Sequence, residues 1–152
     1  MRSVSFLQLL NEAIDYNHLR IYPNIKEVID MKSFVSIFEI PATEILRAIE
    51  FYENILGINI EQMDFVDMQM GVFPTDEQIT FGVIIQGEGY VPSSNGVTIY
   101  LDAGDNLQNI LDKVEHNGGK IIVPKTLHAD ESGYFALFID TEGNKLGLHS
   151  SN

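Results

Sequence analysis

One pattern of residues occurs twice in this chain, 61 positions apart. Phe34 to Ile40 is a run of β-forming apolar residues bounded by Pro41, which predicts a strand. Behind it, Ile45, Ala48, Ile49, Tyr52, Ile55 and Leu56 recur at helical spacing, and Gly57 stands where a helix ends on a left-handed residue. Thr43 is placed to cap that helix. Three strands are expected next, near 58–66, 67–74 and 78–86, with the turn Pro74-Thr75-Asp76-Glu77 before the third. The order then returns. Val97 to Asp102 predicts a strand. Asn106 or Asp105 caps a helix carrying Leu107, Ile110, Leu111 and Val114, and Gly118-Gly119 ends it. Strands near 120–126, 133–139 and 144–149 follow. Ile37 to Thr98 and Gly57 to Gly118 are both steps of 61 residues, as two copies of one unit would give.

Each copy supplies a four-stranded antiparallel sheet and a single helix, too little to cover both sheet faces. The two sheets must therefore pair and enclose a hollow. The expected fold is α+β: two βαβββ modules, about 33–87 and 96–150, forming a cup-shaped mixed sheet with the helices outside. Residues 1–32 stand apart as an N-terminal extension. Within it Phe6, Leu9, Leu10, Ala13 and Ile14 predict a short helix. The domain proper runs over 33–152.

Composition narrows the function. Nine Lys+Arg stand against 22 Asp+Glu, a net charge of −13. Such a surface repels nucleic acid and anionic membranes. No apolar run approaches the roughly 20 residues of a membrane span, and the N-terminal segment is too short and polar for a signal peptide. A cytoplasmic protein is expected. With no cysteine, disulfides, thiolate nucleophiles and Cys-type zinc sites are excluded.

Three motifs carry a resemblance. Arg47 to Gly57 (RAIEFYENILG) resembles the first-helix signature of the vicinal-oxygen-chelate superfamily, which holds glyoxalase I, the bleomycin-resistance proteins and the ring-cleaving dioxygenases. Asn117-Gly118-Gly119-Lys120 resembles the end of its second helix. Asp140-Thr141-Glu142-Gly143-Asn144-Lys145-Leu146-Gly147-Leu148 resembles its closing hairpin. The resemblance spans about 34–149 and implies the fold. Phe51 and Tyr52 are expected in the core, Gly143 at a positive-φ turn, and Arg47 at the surface or a groove rim.

The resemblance also implies where a divalent metal would sit. Its four ligands come from the first and last strand of each module, at Ile37, Gly82 (within one residue), Thr98 and Gly147. These residues are poor donors, so no metal is expected at the usual place. Alternation along strands puts Glu39 beside Ile37, Gln86 beside Gly82, Tyr100 beside Thr98 and His149 beside Gly147. Glu39 and His149 are the candidate acid–base pair. Gln86, Thr98, Tyr100 and Tyr134 are the candidate ligand contacts. Phe65, Phe73, Phe81, Tyr90 and Phe135 are further candidate walls. His116 is expected at the end of helix two and His128 in a loop near the cup mouth.

Two functions compete. In one, the chain binds a small organic molecule in the cup, without cofactor and as a homodimer. The acidic surface and the aromatic walls favour a cationic ligand. In the other, it is a metal-dependent lyase, isomerase or dioxygenase of the glyoxalase kind, with a divalent ion held by displaced ligands such as Glu39 and His149. Docking of a partner by the N-terminal helix is a third function to test.

Overall fold

The structure, a computed structural model, describes residues 35–75 and 80–152. The helix expected over Phe6–Ile14 and the turn residues 76–79 lie outside the described residues. Residues Val35–Asn152 form one unit. Its elements are β1 (Ile37–Pro41), α1 (Ile45–Leu56), β2 (Glu61–Asp64), β3 (Met68–Val72), β4 (Phe81–Gly87), β5 (Tyr100–Asp102), α2 (Gln108–Val114, continued by a 3-10 turn at Glu115–Asn117), β6 (Lys120–Leu127), β7 (Tyr134–Ile139) and β8 (Lys145–Ser150). This is the strand–helix–three-strand order, given twice.

The strands form two four-stranded sheets, ordered β1-β4-β3-β2 and β5-β8-β7-β6. The expected antiparallel pairing fails at one place in each. β1 runs parallel to β4, and β5 runs parallel to β8. The reason is topological. The helix after each first strand carries the chain back along the sheet before the antiparallel meander begins, so first and last strands point the same way. β5 is shorter than the expected Val97–Asp102 and pairs only from Tyr100.

Each sheet turns one face to the helices, and those faces feed one core. It includes Ile40 and Ile84 of sheet one, Ile45, Ala48, Phe51, Tyr52 and Ile55 of α1, Leu107, Leu111 and Val114 at α2, and Leu101, Ala136, Phe138, Leu146 and Leu148 of sheet two. α1 reaches both sheets. Ile49 packs where Gly71 of β3 has no side chain, and the Phe51 ring lies 6.1 Å from that of Phe138 on β7. Each fully buried Ile, Leu or Phe contributes about 1.5–3 kcal/mol, so this shared core holds the modules together.

α1 has no side-chain cap of its own. Thr43, expected to accept from the helix, donates instead. Its N–H and hydroxyl, and the Glu44 N–H, all donate to Glu142 Oε2 at 2.9–3.0 Å. The Ile45 N–H donates to Gln86 Oε1 at 2.6 Å. Two side chains distant in sequence thus accept from the backbone N–H groups of Thr43, Glu44 and Ile45, where the chain enters the helix. At the other end Gly57 adopts φ 69°, and its N–H donates to the Glu53 carbonyl, as expected. In the second module Asn106 Oδ1 accepts from the Gln108 N–H, but the N-cap position itself falls on Leu107, which makes no side-chain cap bond.

The Asp140–Asn144 turn fastens the modules. Asp140 accepts from the Tyr52 hydroxyl (2.7 Å), from the Glu142 and Asn144 N–H groups, and from Asn144 Nδ2. Asn144 Nδ2 also donates to the Pro41 carbonyl. Gly143 takes φ 100°, the positive-φ turn expected of it. Arg47 is half-exposed and pairs with Glu142 through Nε–Oε1 at 2.7 Å and Nη2–Oε2 at 3.0 Å. Partial burial alone would raise the Glu142 carboxyl. Hydrogen bonds from Arg47, Thr43 and two backbone N–H groups outweigh it and hold the group down at about 2. Burial, and then the neighbouring Asp140 carboxylate, push the Tyr52 hydroxyl well above its ordinary range. It therefore stays a donor. No helix among the described residues is long and apolar enough to cross a membrane.

Candidate functional site

Strand alternation decides which side chains leave the core. Leu101, Leu146 and Leu148 face the helices, so Tyr100, Asp102, Gly147 and His149 face the other way. On β7, Ala136 and Phe138 face the helices and Phe135 and Leu137 face out. The open face of sheet two therefore carries two cross-strand rows. Asp102, His149, Phe135 and Thr126 are successive register partners in one. Tyr100, Gly147, Leu137 and Val123 are successive partners in the other.

The aromatic groups of these rows gather. The Tyr100 and Phe135 rings meet edge-on at 6.5 Å. The His128 ring lies 4.8 Å from Phe135 and 5.5 Å from His149. Tyr100 is 46% exposed, so the patch remains open to a ligand. His128 arrives through a tight connection, in which its N–H donates to the Gly133 carbonyl and its carbonyl accepts from the Glu131 N–H. Gly133 sits at φ 144°, where a side chain would meet the Ser150 carbonyl and His149 Nε2. The absence of one lets the connection lie directly on β8.

Tyr100 also packs on Gly147, and any Cβ at 147 would overlap its ring. In sheet one, Gly82 faces the helix side, with the Phe38 ring where its side chain would be, at 2.6 Å. The residues facing outward beside it are Phe81 and Val83. Thr98 is half-buried in the segment leading into β5. Among the described residues no three His, Cys, Asp or Glu side chains gather as a metal would need. Ile37, Gly82, Thr98 and Gly147, the positions that the resemblance assigns to a metal, carry no imidazole or carboxylate.

The other expected site residues separate. Gln86 was expected on the open face. It lies instead on the helix face of β4, two residues from Ile84, occupied with the Ile45 N–H. Tyr134 was expected in the cup. It is the register partner of Ser150, whose Oγ accepts from the Leu107 N–H at the start of α2. Tyr134 therefore also lies on the helix face, with Lys125 Nζ 4.4 Å above its ring. Phe73 is partly buried and packs against the core, its ring near those of Tyr52 and Phe38.

Glu39 and His149 are not brought together. Glu39 lines a crevice with Val97, Ile99 and Lys145, whereas His149 belongs to the patch with His128 and Phe135. Partial burial raises the Glu39 carboxyl above its usual value. His116 lies in the 3-10 turn after α2, with Nδ1 3.1 Å from the Asp112 carbonyl. Sequence reasoning missed Asp102 and the closeness of His128. Alternation from Tyr100 would have found Asp102. His128 reaches β8 through the tight connection closed at Gly133, which no local pattern in the sequence announces.

The chain belongs to the Glyoxalase/Bleomycin resistance protein/Dioxygenase superfamily: a model of that family matches residues 35–148. A glyoxylase-like domain-containing protein of Didymella fabae is 31% identical over 118 residues, 72% of this chain and 88% of that protein. Among solved structures, a glyoxalase/bleomycin resistance protein from Albidiferax ferrireducens aligns with TM-score 0.62 and 18% identity, over 78% of this chain and 98% of that one. An antibiotic-binding protein from a Streptomyces species gives TM-score 0.62 and 19% identity, over 79% and 97%. A glyoxalase I variant from Zea mays gives TM-score 0.62 and 20% identity over 76% of this chain. The match spans only 45% of the maize chain. These structural likenesses establish the α+β fold of two βαβββ modules.

Proposed function

We propose that this protein binds a small organic molecule on the open face of sheet two and needs no metal to do so. The observation that carries this reading is the Tyr100 ring lying on Gly147. An aromatic wall fills the place where glyoxalase-type enzymes of the family carry a ligand. Phe135, His128 and His149 extend that wall, and Asp102 adds a carboxylate at its end. A planar aromatic cation fits such a surface: the rings stack on it and attract its charge, and a net charge of −13 draws it in from a distance. The antibiotic-binding relative gives precedent within the fold. The reading extends to a cytoplasmic homodimer, since two-fold pairing is the commonest assembly of soluble chains.

Titration with the planar cationic dye proflavine tests this reading. Saturable binding is expected, weakened about tenfold by Tyr100→Ala and by Phe135→Ala. Affinity unchanged in both variants would remove the patch as the site. The competing enzyme reading used Glu39 with His149, and their separate surroundings give it no support.

A further inference from the structure

A second feature lies away from the aromatic patch. Between the edge of β1 and the start of β8 runs a crevice of about 250 Å³. Glu39 on β1 and Lys145 on β8 both line it. Neither has an ion-pair partner among the described residues. Among the described residues the two opposite charges share the crevice without pairing, so both face a ligand placed there.

Apolar and polar side chains share the walls between them. Val91 and Val97 line the crevice, and both are largely exposed, at 75% and 88%. They do not belong to the core. The segment bearing Val91 is tied down at Ser93, whose N–H donates to Asn144 Oδ1 and whose carbonyl accepts from the Lys145 N–H. Asn144 is itself fixed by Asp140 and Pro41. The Ser93–Asn144 side of the crevice is therefore fixed before a ligand arrives, which reduces the ordering cost of binding. Burial, and then the nearby Glu39 carboxylate, raise the Tyr90 hydroxyl, which places negative charge beside this wall.

We propose that this crevice is a second binding site, for a small zwitterion with an apolar body. The ligand's ammonium pairs with Glu39, its carboxylate pairs with Lys145, and its hydrocarbon lies against Val91 and Val97. At about 250 Å³ the space suits an amino acid rather than a drug-sized molecule, whose pockets run from roughly 300 to 1,000 Å³. The site shares no residue with the aromatic patch, so the two proposals stand or fall separately.

Calorimetric titration of the full chain tests it with L-leucine and 6-aminohexanoate, probes with adjacent and separated charges. At least one is expected to bind saturably. Its methyl ester and its N-acetyl derivative, each lacking one charge, should bind about tenfold more weakly or worse. Glu39→Gln and Lys145→Gln should each cause a similar loss and leave proflavine binding intact. No saturable binding of either probe would overturn the proposal. So would equal affinity for the singly charged derivatives, a test made on the unaltered protein and independent of how the variants fold.

Discussion

The Tyr100 ring rests on the bare backbone of Gly147, its register partner across the parallel β5–β8 pair. The two residues explain each other. Glycine at 147 makes room for the ring, and the ring fills the place of the side chain that 147 lacks. Gly147→Glu should therefore destabilise the fold, by about 1–3 kcal/mol from overpacking. Adding Tyr100→Ala should recover most of that loss. Chemical denaturation of the single and double variants measures the coupling. Additive losses would show that the ring does not occupy the site.

The Glu142 carboxylate gives a prediction in pH. Its folded pKa of about 2 lies below the ordinary 4.5. The stability it supplies is therefore full above 4.5 and is lost as pH falls toward 2. Glu142→Gln keeps the shape but weakens the bonds to Arg47, Thr43 and Glu44. At neutral pH it should cost about 1.5–3 kcal/mol, the range for hydrogen bonds to charged groups. Denaturation curves of both proteins from pH 7 to pH 2 should converge as acid is added. A gap constant across that range would contradict the role given to the carboxylate.

Gln86 separates support of the fold from binding. Gln86→Ala leaves the Ile45 N–H without its acceptor and should cost about 1 kcal/mol, as loss of a helix cap does. Proflavine affinity should not change, because the side chain lies on the helix face. A weaker complex with unaltered stability would return Gln86 to the binding face.

These outcomes bear on what can be read from sequence. The repeat, the helix ends at Gly57 and Gly118 and the turn at Gly143 were legible, because each rests on local chemistry. The facing of strand residues was less so. Val83, Ile84 and Ile85 are all 0% exposed, so β4 shows no polar–apolar alternation to reveal which side of Gly82 and Gln86 meets the helix. The all-apolar β7 hides the facing of Tyr134 in the same way. The capping of α1 by Glu142 joins residues 98 and 99 apart, and no local pattern announces it. In β5 and β8 the facing is easier to read, because Tyr100 and His149 alternate with the core residues Leu101, Leu146 and Leu148.

The central claim is that the aromatic face holds its ligand without a metal. The most direct measurement is the proflavine dissociation constant of chelator-stripped protein, before and after adding back zinc, nickel or manganese. The same saturable affinity with and without each ion is the predicted result. Binding that appears only when a divalent ion is restored would contradict it.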